Sequence, residues 1–207
     1  MRDGMVTKAH KFQDNFDIGT AEEIARRIYE DQIDEILFYD ITASAEKKPI
    51  DLETVRMVAK NVFVPFSVGG GIRNLDDMYQ VLKAGAEKIS IDSMAVRNPN
   101  IINEGAKEGE SRGAGELCIN SIDQDGTHEG YDLEITKLIS DHVNIPVIAS
   151  GGAGNPDHIA DAFLKTGASA AIISSMLYSP KLPRNYHVSE IKDVLTAKGI
   201  PMRPYLK

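Results

Sequence analysis

The sequence predicts an α/β fold of parallel βα units, and two observations predict it. Short apolar runs alternate with amphipathic stretches from about Asp34 onward, and the pattern then repeats at a fixed offset. The runs lie at 36–39 (ILFY), 65–68 (PFSV), 89–91 (ISI), 117–119 (LCI), 146–149 (PVIA) and 170–173 (AAII), six in all. They show little alternation, as strands covered on both faces of a parallel sheet should. The first helix is announced by Thr20-Ala21-Glu22-Glu23, a capping box ahead of Ile24, Ile28 and Tyr29. Asn74 and Asn155 are expected to cap later helices, and Gly85 and Gly167 to end them. A last amphipathic helix is expected over about 188–198, in a packing role.

The repeat is specific. A shift of 81 residues lays Glu35-Ile36-Leu37-Phe38-Tyr39-Asp40-Ile41 over Glu116-Leu117-Cys118-Ile119-Asn120-Ser121-Ile122. It also brings Pro65 to Pro146, Gly70-Gly71 to Gly151-Gly152 and Asn74 to Asn155. One residue further on, Lys83-Ala84-Gly85-Ala86 matches Lys165-Thr166-Gly167-Ala168, and Ser93-Met94 matches Ser175-Met176. Shared apolar character alone would not place the same glycines, asparagines and Lys-x-Gly-Ala steps in order, so duplication is expected. The expected organisation is one domain over 1–207, built from two repeated halves at about 20–100 and 105–180. Duplicated parallel βα units favour a (βα)-barrel, with an open doubly wound sheet as the alternative.

Composition narrows the function classes. With 42% hydrophobic and 26% charged residues, and apolar runs far shorter than a bilayer is thick, a membrane-spanning role is not expected. A formal charge of −8 without a basic cluster argues against nucleic-acid binding. Cys118, the single cysteine, excludes an internal disulfide, and with no signal-like opening segment a cytoplasmic setting is expected.

In βα architectures, ligands meet the loops that follow the strands. Val68-Gly69-Gly70-Gly71-Ile72 follows one strand, and Ala149-Ser150-Gly151-Gly152-Ala153-Gly154 follows its repeat mate. Glycines at such places let backbone N–H groups approach an anion, or merely permit tight turns. Asp92-Ser93 and Ser174-Ser175 end the next strand of each copy and would add hydroxyl donors. The polar segment Asn120-Ser121-Ile122-Asp123-Gln124-Asp125-Gly126-Thr127, continued by Gly130-Tyr131-Asp132, belongs in a cleft or loop, because unpaired carboxylates are costly in a core. Asp125 and Asp40 are candidates for acid or base work or for binding ribose hydroxyls, while Asp123 serves equally well as a turn cap. The Asp-x-Asp-x-Thr spacing breaks off before completing a calcium loop, so no metal is expected, and nothing calls for a cofactor.

These segments together resemble the cyclase subunit of imidazole glycerol phosphate synthase, of histidine biosynthesis. The resemblance rests on Asp3-Gly4 with Lys8, Asp40-Ile41-Thr42-Ala43-Ser44, Pro65 through Gly71, Glu116 through Thr127 with Gly130-Tyr131-Asp132, and Ala149 through Gly154. It implies a (βα)8 (TIM) barrel, here with six of the eight units evident. It also implies a lyase that takes ammonia from a glutaminase partner. The substrate would be a formimino aminoimidazole carboxamide ribonucleotide carrying two phosphates. Gly71, Asp92 and Ser93 would hold one phosphate, and Gly126, Gly152, Ser174 and Ser175 the other, with Lys8 closing from the first loop. Glu35, Lys88 and Glu116 fall where the family gates ammonia entry.

The chain also departs from the family. A barrel of this kind takes about 250 residues, roughly 40 more than are present. The opening Met1-Arg2-Asp3-Gly4 stands where the family has finished its first strand. Residues 101–107 belong to the helix after the fourth strand, yet 108–115 (EGESRGAG) already leads into the sixth. The two absent strands are symmetry mates, and they carry the family's two catalytic aspartates. Asp92 also stands where the family has a phosphate-binding asparagine. Little or no cyclase activity is therefore expected, since a general acid or base contributes about 10²–10⁴-fold. Omitted segments, a deletion in the gene, or deliberate truncation to an engineered scaffold would each account for the gaps. The alternative function is a catalytically silent phosphate-binding barrel remnant, with the sister sugar-phosphate isomerase as a weaker possibility. Self-association through uncovered strand edges is a further expectation.

Overall fold

The computed structural model describes residues 4–10, 13–40, 48–70, 75–90, 115–179 and 182–204. Strands β1 (Met5–His10) and β2 (Gln13–Thr20) form a two-stranded sheet that the apolar runs did not predict. Lys8 lies within β1. Thr7 Oγ1 donates to Asp17 Oδ1 at 2.7 Å across this sheet. The chain falls into two compact units, Met1–Lys8, Phe16–Asp92 and Arg203–Lys207 in one, and Ala9–Asn15 with Ser93–Met202 in the other.

In the first unit, β3 (Ile36–Tyr39), β4 (Phe66–Gly69) and β5 (Lys88–Ser90) form a parallel sheet in that order. Helices α1 (Ala21–Glu30), α2 (Leu52–Asn61) and α3 (Leu75–Lys83) alternate with the strands. The capping box forms as its residues dictate: Glu23 N–H donates to Thr20 Oγ1 at 3.3 Å, and Thr20 N–H reaches Glu23 Oε2 at 3.4 Å. Asp51 caps α2, accepting from Glu53 N–H, Thr54 N–H and Thr54 Oγ1. Burial alone would raise the Asp51 pKa, but these hydrogen bonds outweigh it and hold the carboxyl below its ordinary value of 3.8. The core gathers Val55 and Val58 of α2, Val81 of α3, and Phe38, Phe66 and Val68 of the sheet. Fully burying one such side chain stabilises by about 1.5–3 kcal/mol.

In the second unit, β6 (Leu117–Asn120), β7 (Val147–Ser150) and β8 (Ala170–Ala171) repeat the parallel arrangement. Its helices are α4 (Leu133–Ser140), α5 (Pro156–Thr166), α6 (Ser175–Tyr178) and α7 (Val188–Ala197). Asn155 caps α5 through His158 N–H, Pro156 fills its first turn, and Gly167 ends it at φ +79°. Ile139 of α4 packs on Val147, with Leu117 and Ile119 beside them.

The two sheets share one register. Ile36 pairs with Phe66 as Leu117 pairs with Val147, and Ser67 pairs with Lys88 as Ile148 pairs with Ala170. The flanking bonds match too: Ile36 N–H donates to Pro65 O at 3.0 Å, and Leu117 N–H to Pro146 O at 2.9 Å. Each described parallel sheet is open, with three strands, and closure into a barrel is not among the described pairings. No helix among the described residues is long and apolar enough to cross a membrane.

Candidate functional site

In the second unit the carboxyl ends of β6, β7 and β8 lie side by side, because Asn120 pairs with Ser150 and Ala149 with Ala171. Parallel strands in register deliver their following loops to one rim, so 121–132, 151–155 and 172–174 share it. Ser121 N–H donates to Ser150 O at 3.1 Å, and Ile172 N–H to Ala149 O at 2.8 Å, carrying the pairing just past the strands.

The first of these loops coils into successive turns. Asp125 N–H donates to Ser121 O at 2.9 Å, Thr127 Oγ1 donates to Gln124 O at 2.8 Å, and Gly126 takes φ +76° between them. Asp125 is half-buried within this coil, while Asp123 is exposed.

Gly152, at φ +103°, comes so close to that loop that a Cβ would lie 2.0 Å from Gly130 O. Gly130 N–H in turn donates to Gly152 O at 2.9 Å. Only glycine permits this approach. Gly151 stands in the same way over Ser121 O, where a Cβ would lie 2.7 Å away.

Ser174 precedes α6 and Ser175 opens it; Ser175 is buried, and Ser174 Oγ pairs with Tyr178 Oη. Gly126, Gly152 and Ser174 therefore sit on adjacent loops of one rim, with Ser175 opening the helix that follows.

Sequence reasoning assigned no role to three further groups there. Tyr131 is buried, and its phenol donates to Ile172 O at 2.9 Å, bridging two loops. Burial pushes that phenol above its ordinary value of 10.0, so it remains a donor through the neutral and mildly alkaline range. Asp132 caps α4 through Ile135 N–H at 3.1 Å. The ring of His158 accepts from Gly154 N–H at 3.2 Å and lies under Gly130. A histidine three residues past the cap Asn155 was the available signal.

The first unit holds the counterpart. Asp40 follows β3, and its N–H donates to Gly69 O at 3.0 Å. Gly70, at φ +85°, leaves only 2.2 Å between a Cβ and Asp40 O. Gly71, Asp92 and Ser93, the other expected phosphate contacts, lie outside the described residues.

At the opposite, amino end of the same sheet, Lys88 Nζ lies 2.8 Å from Glu35 Oε2, and Ser67 Oγ donates to Glu35 Oε1 at 2.5 Å. These three share the sheet face turned away from the helices, because Leu37 pairs with Ser67 and Ser67 with Lys88. Ser67 went unremarked because it hides in an apolar run. Glu116 directly precedes β6, the place that Glu35 holds before β3. Among the described residues no group of three or more His, Cys, Asp or Glu is placed to hold a metal ion.

A family model described as histidine biosynthesis protein matches residues 1–112 and 102–183. The chain is 45% identical to the imidazole glycerol phosphate synthase subunit HisF of Desulfatibacillum aliphaticivorans, with 100% of this chain and 96% of that protein covered. It is 45% identical to the subunit of the same name from Oleidesulfovibrio alaskensis and 43% identical to that of Syntrophobacter fumaroxidans, covering 98% of this chain and 95% of each. The first alignment runs over 253 residues, 46 more than the 207 of this chain, so it contains gaps on this side.

Proposed function

The chain belongs to the histidine biosynthesis protein family, and from that premise we propose that it is a HisF-type cyclase subunit of imidazole glycerol phosphate synthase with its acid–base chemistry impaired. The observation that carries the reading is 45% identity across the whole chain to a protein named as that subunit. It acts, in this reading, as a (βα)-barrel domain of two repeated halves, about 20–100 and 105–180, with six of eight βα units retained. The alignment gaps support the shortfall, and the two family-model matches overlap at 102–112, beside the stretch where the fifth strand would fall.

The substrate is the bis-phosphorylated formimino ribonucleotide. Gly126, Gly152, Ser174 and Ser175 hold one phosphate; the rim geometry supports this, because glycine-spaced loops bring backbone donors and hydroxyls together without side-chain obstruction. Gly71, Asp92 and Ser93 take the other phosphate, with Lys8 closing over the substrate, and the Asp92 carboxylate weakens the grip unless it is protonated or turned aside. Ammonia from a glutaminase partner enters at the amino ends of the strands, past Glu35, Lys88 and Glu116. The Glu35–Lys88 pair supports a closed polar gate there, since each charge satisfies the other.

Ring closure needs a proton donor and a proton acceptor beside the reacting atoms. In this reading the strands that carry the family's two aspartates are absent, and Asp40 and Asp125 are the candidate carboxylates near strand ends. Since each missing group is worth about 10²–10⁴-fold, turnover should fall at least a hundredfold below a complete relative. In the limit the chain is a catalytically silent phosphate-binding remnant.

The test pairs two measurements: ammonia-driven turnover of the formimino ribonucleotide at saturating ammonium, against the Desulfatibacillum HisF as reference, and calorimetric binding of imidazole glycerol phosphate. Binding with turnover down by at least a hundredfold is expected. Turnover equal to the reference would overturn the impairment, and absence of binding would overturn the phosphate site.

A further inference from the structure

Three consecutive residues tie the rim of the second unit together, each in a different direction. Gly130 exchanges backbone contact with Gly152 on the loop after β7, Tyr131 crosses to Ile172 on the loop after β8, and Asp132 caps α4. The Tyr131 bond spans 41 residues of sequence, and its acceptor lies two residues before Ser174. The ring is buried at 6% exposure, so the phenol is fixed in place by packing as well as by its bond. We propose that Tyr131 is a positioning residue for the anion site: by donating to the Ile172 carbonyl it holds Ser174 and Ser175 in register with the loop that carries Gly126. This role rests on the phosphate site proposed above.

The logic is geometric. β8 is only two residues long, so its own ladder fixes the following loop weakly. Past Ile172 the described pairing to β7 ends, and the backbone bonds at Ser174 O and Ser175 O come from Leu177 and Ser179, close by in the chain, and not from the neighbouring loops. Tyr131 does not need to touch the anion; removing its hydroxyl while keeping its ring should leave the core filled and release the loop.

The test uses the full chain with Tyr131→Phe and a control, Ile139→Val, which trims the α4 core away from the rim. Inorganic phosphate is titrated by ³¹P NMR, and amide hydrogen exchange is followed over 172–176. Tyr131→Phe should weaken phosphate binding on the order of tenfold, the loss of one oriented donor's contribution, and speed exchange at Ser174 and Ser175. Ile139→Val should do neither while losing a comparable amount of melting temperature. Unchanged phosphate binding in Tyr131→Phe, or an equal loss in Ile139→Val, overturns the positioning role and leaves the site itself standing. If the unaltered chain binds no phosphate, the site falls and this role falls with it.

Discussion

Gly152→Ala makes the sharpest demand on the rim geometry. At φ +103° an L-residue is strained, and its Cβ would sit 2.0 Å from Gly130 O, a full ångström inside the nearest contact that real side chains make. Backbone cannot yield as a side chain tip can, so the two loops must part. The φ penalty is about 1–2 kcal/mol, and losing the Gly130 N–H to Gly152 O bond adds about 1 kcal/mol. The expected destabilisation is about 3 kcal/mol, a drop of roughly 6–12 °C for a chain of this size. Gly199→Ala is the matched control: its φ is +79°, but no atom lies within 4 Å of the added Cβ. It should lose only the conformational part, about 1–2 kcal/mol. The chain has no tryptophan, so unfolding in urea is best followed by far-ultraviolet circular dichroism. Equal midpoints for the two variants would refute the argument that close loop approach, rather than backbone conformation alone, demands glycine at 152.

Two further outcomes follow from the first unit. Asp51→Ala should cost about 1 kcal/mol at pH 7 through loss of the α2 cap. Because the folded carboxyl titrates below 3.8, its charge stabilises above that value, and the benefit is lost as pH falls through the lower folded pKa. The gap in urea midpoint between the variant and the parent should therefore narrow as the pH is lowered from about 7 to below the ordinary carboxyl range; a constant gap would show that the charge plays no part. Glu35→Gln should cost only about 0.5 kcal/mol, since Lys88 and Glu35 are 39% and 34% exposed and water screens them. A cost above about 2 kcal/mol by the same melts would mean that the pair is far drier than its exposure indicates.

The six apolar runs all became strands, and the reason shows best in the first unit, where Phe38, Phe66 and Val68 are buried in one core with Val55, Val58 and Val81 of the helices. The caps at Thr20 and Asn155 were legible because their hydrogen bonds reach only three residues, and the stop at Gly167 because its left-handed φ favours glycine. Strand β2 escaped notice because its stretch, 13–20 (QDNFDIGT), is polar and carries only the brief alternation of Phe16 and Ile18. At the site, the glycines advertised themselves, whereas the Tyr131 crossing did not: a phenol and a carbonyl 41 residues apart leave no periodic trace. Likewise Ser67 reads as a flaw in an apolar run until the register sets it beside Glu35 and Lys88.

The common register of the two three-stranded sheets makes them interchangeable parts. A strand–helix–strand segment lifted from 36–69 carries the same hydrogen-bonding edge, the same entry at a proline carbonyl and the same glycine exit as its counterpart at 117–150. Gene fusions that transplant one into the place of the other keep the strand register while exchanging Leu37 and Tyr39 for Cys118 and Asn120 on the face turned away from the helices. The chemistry of that surface can thus be rewritten in blocks, without redesigning the frame that bears it.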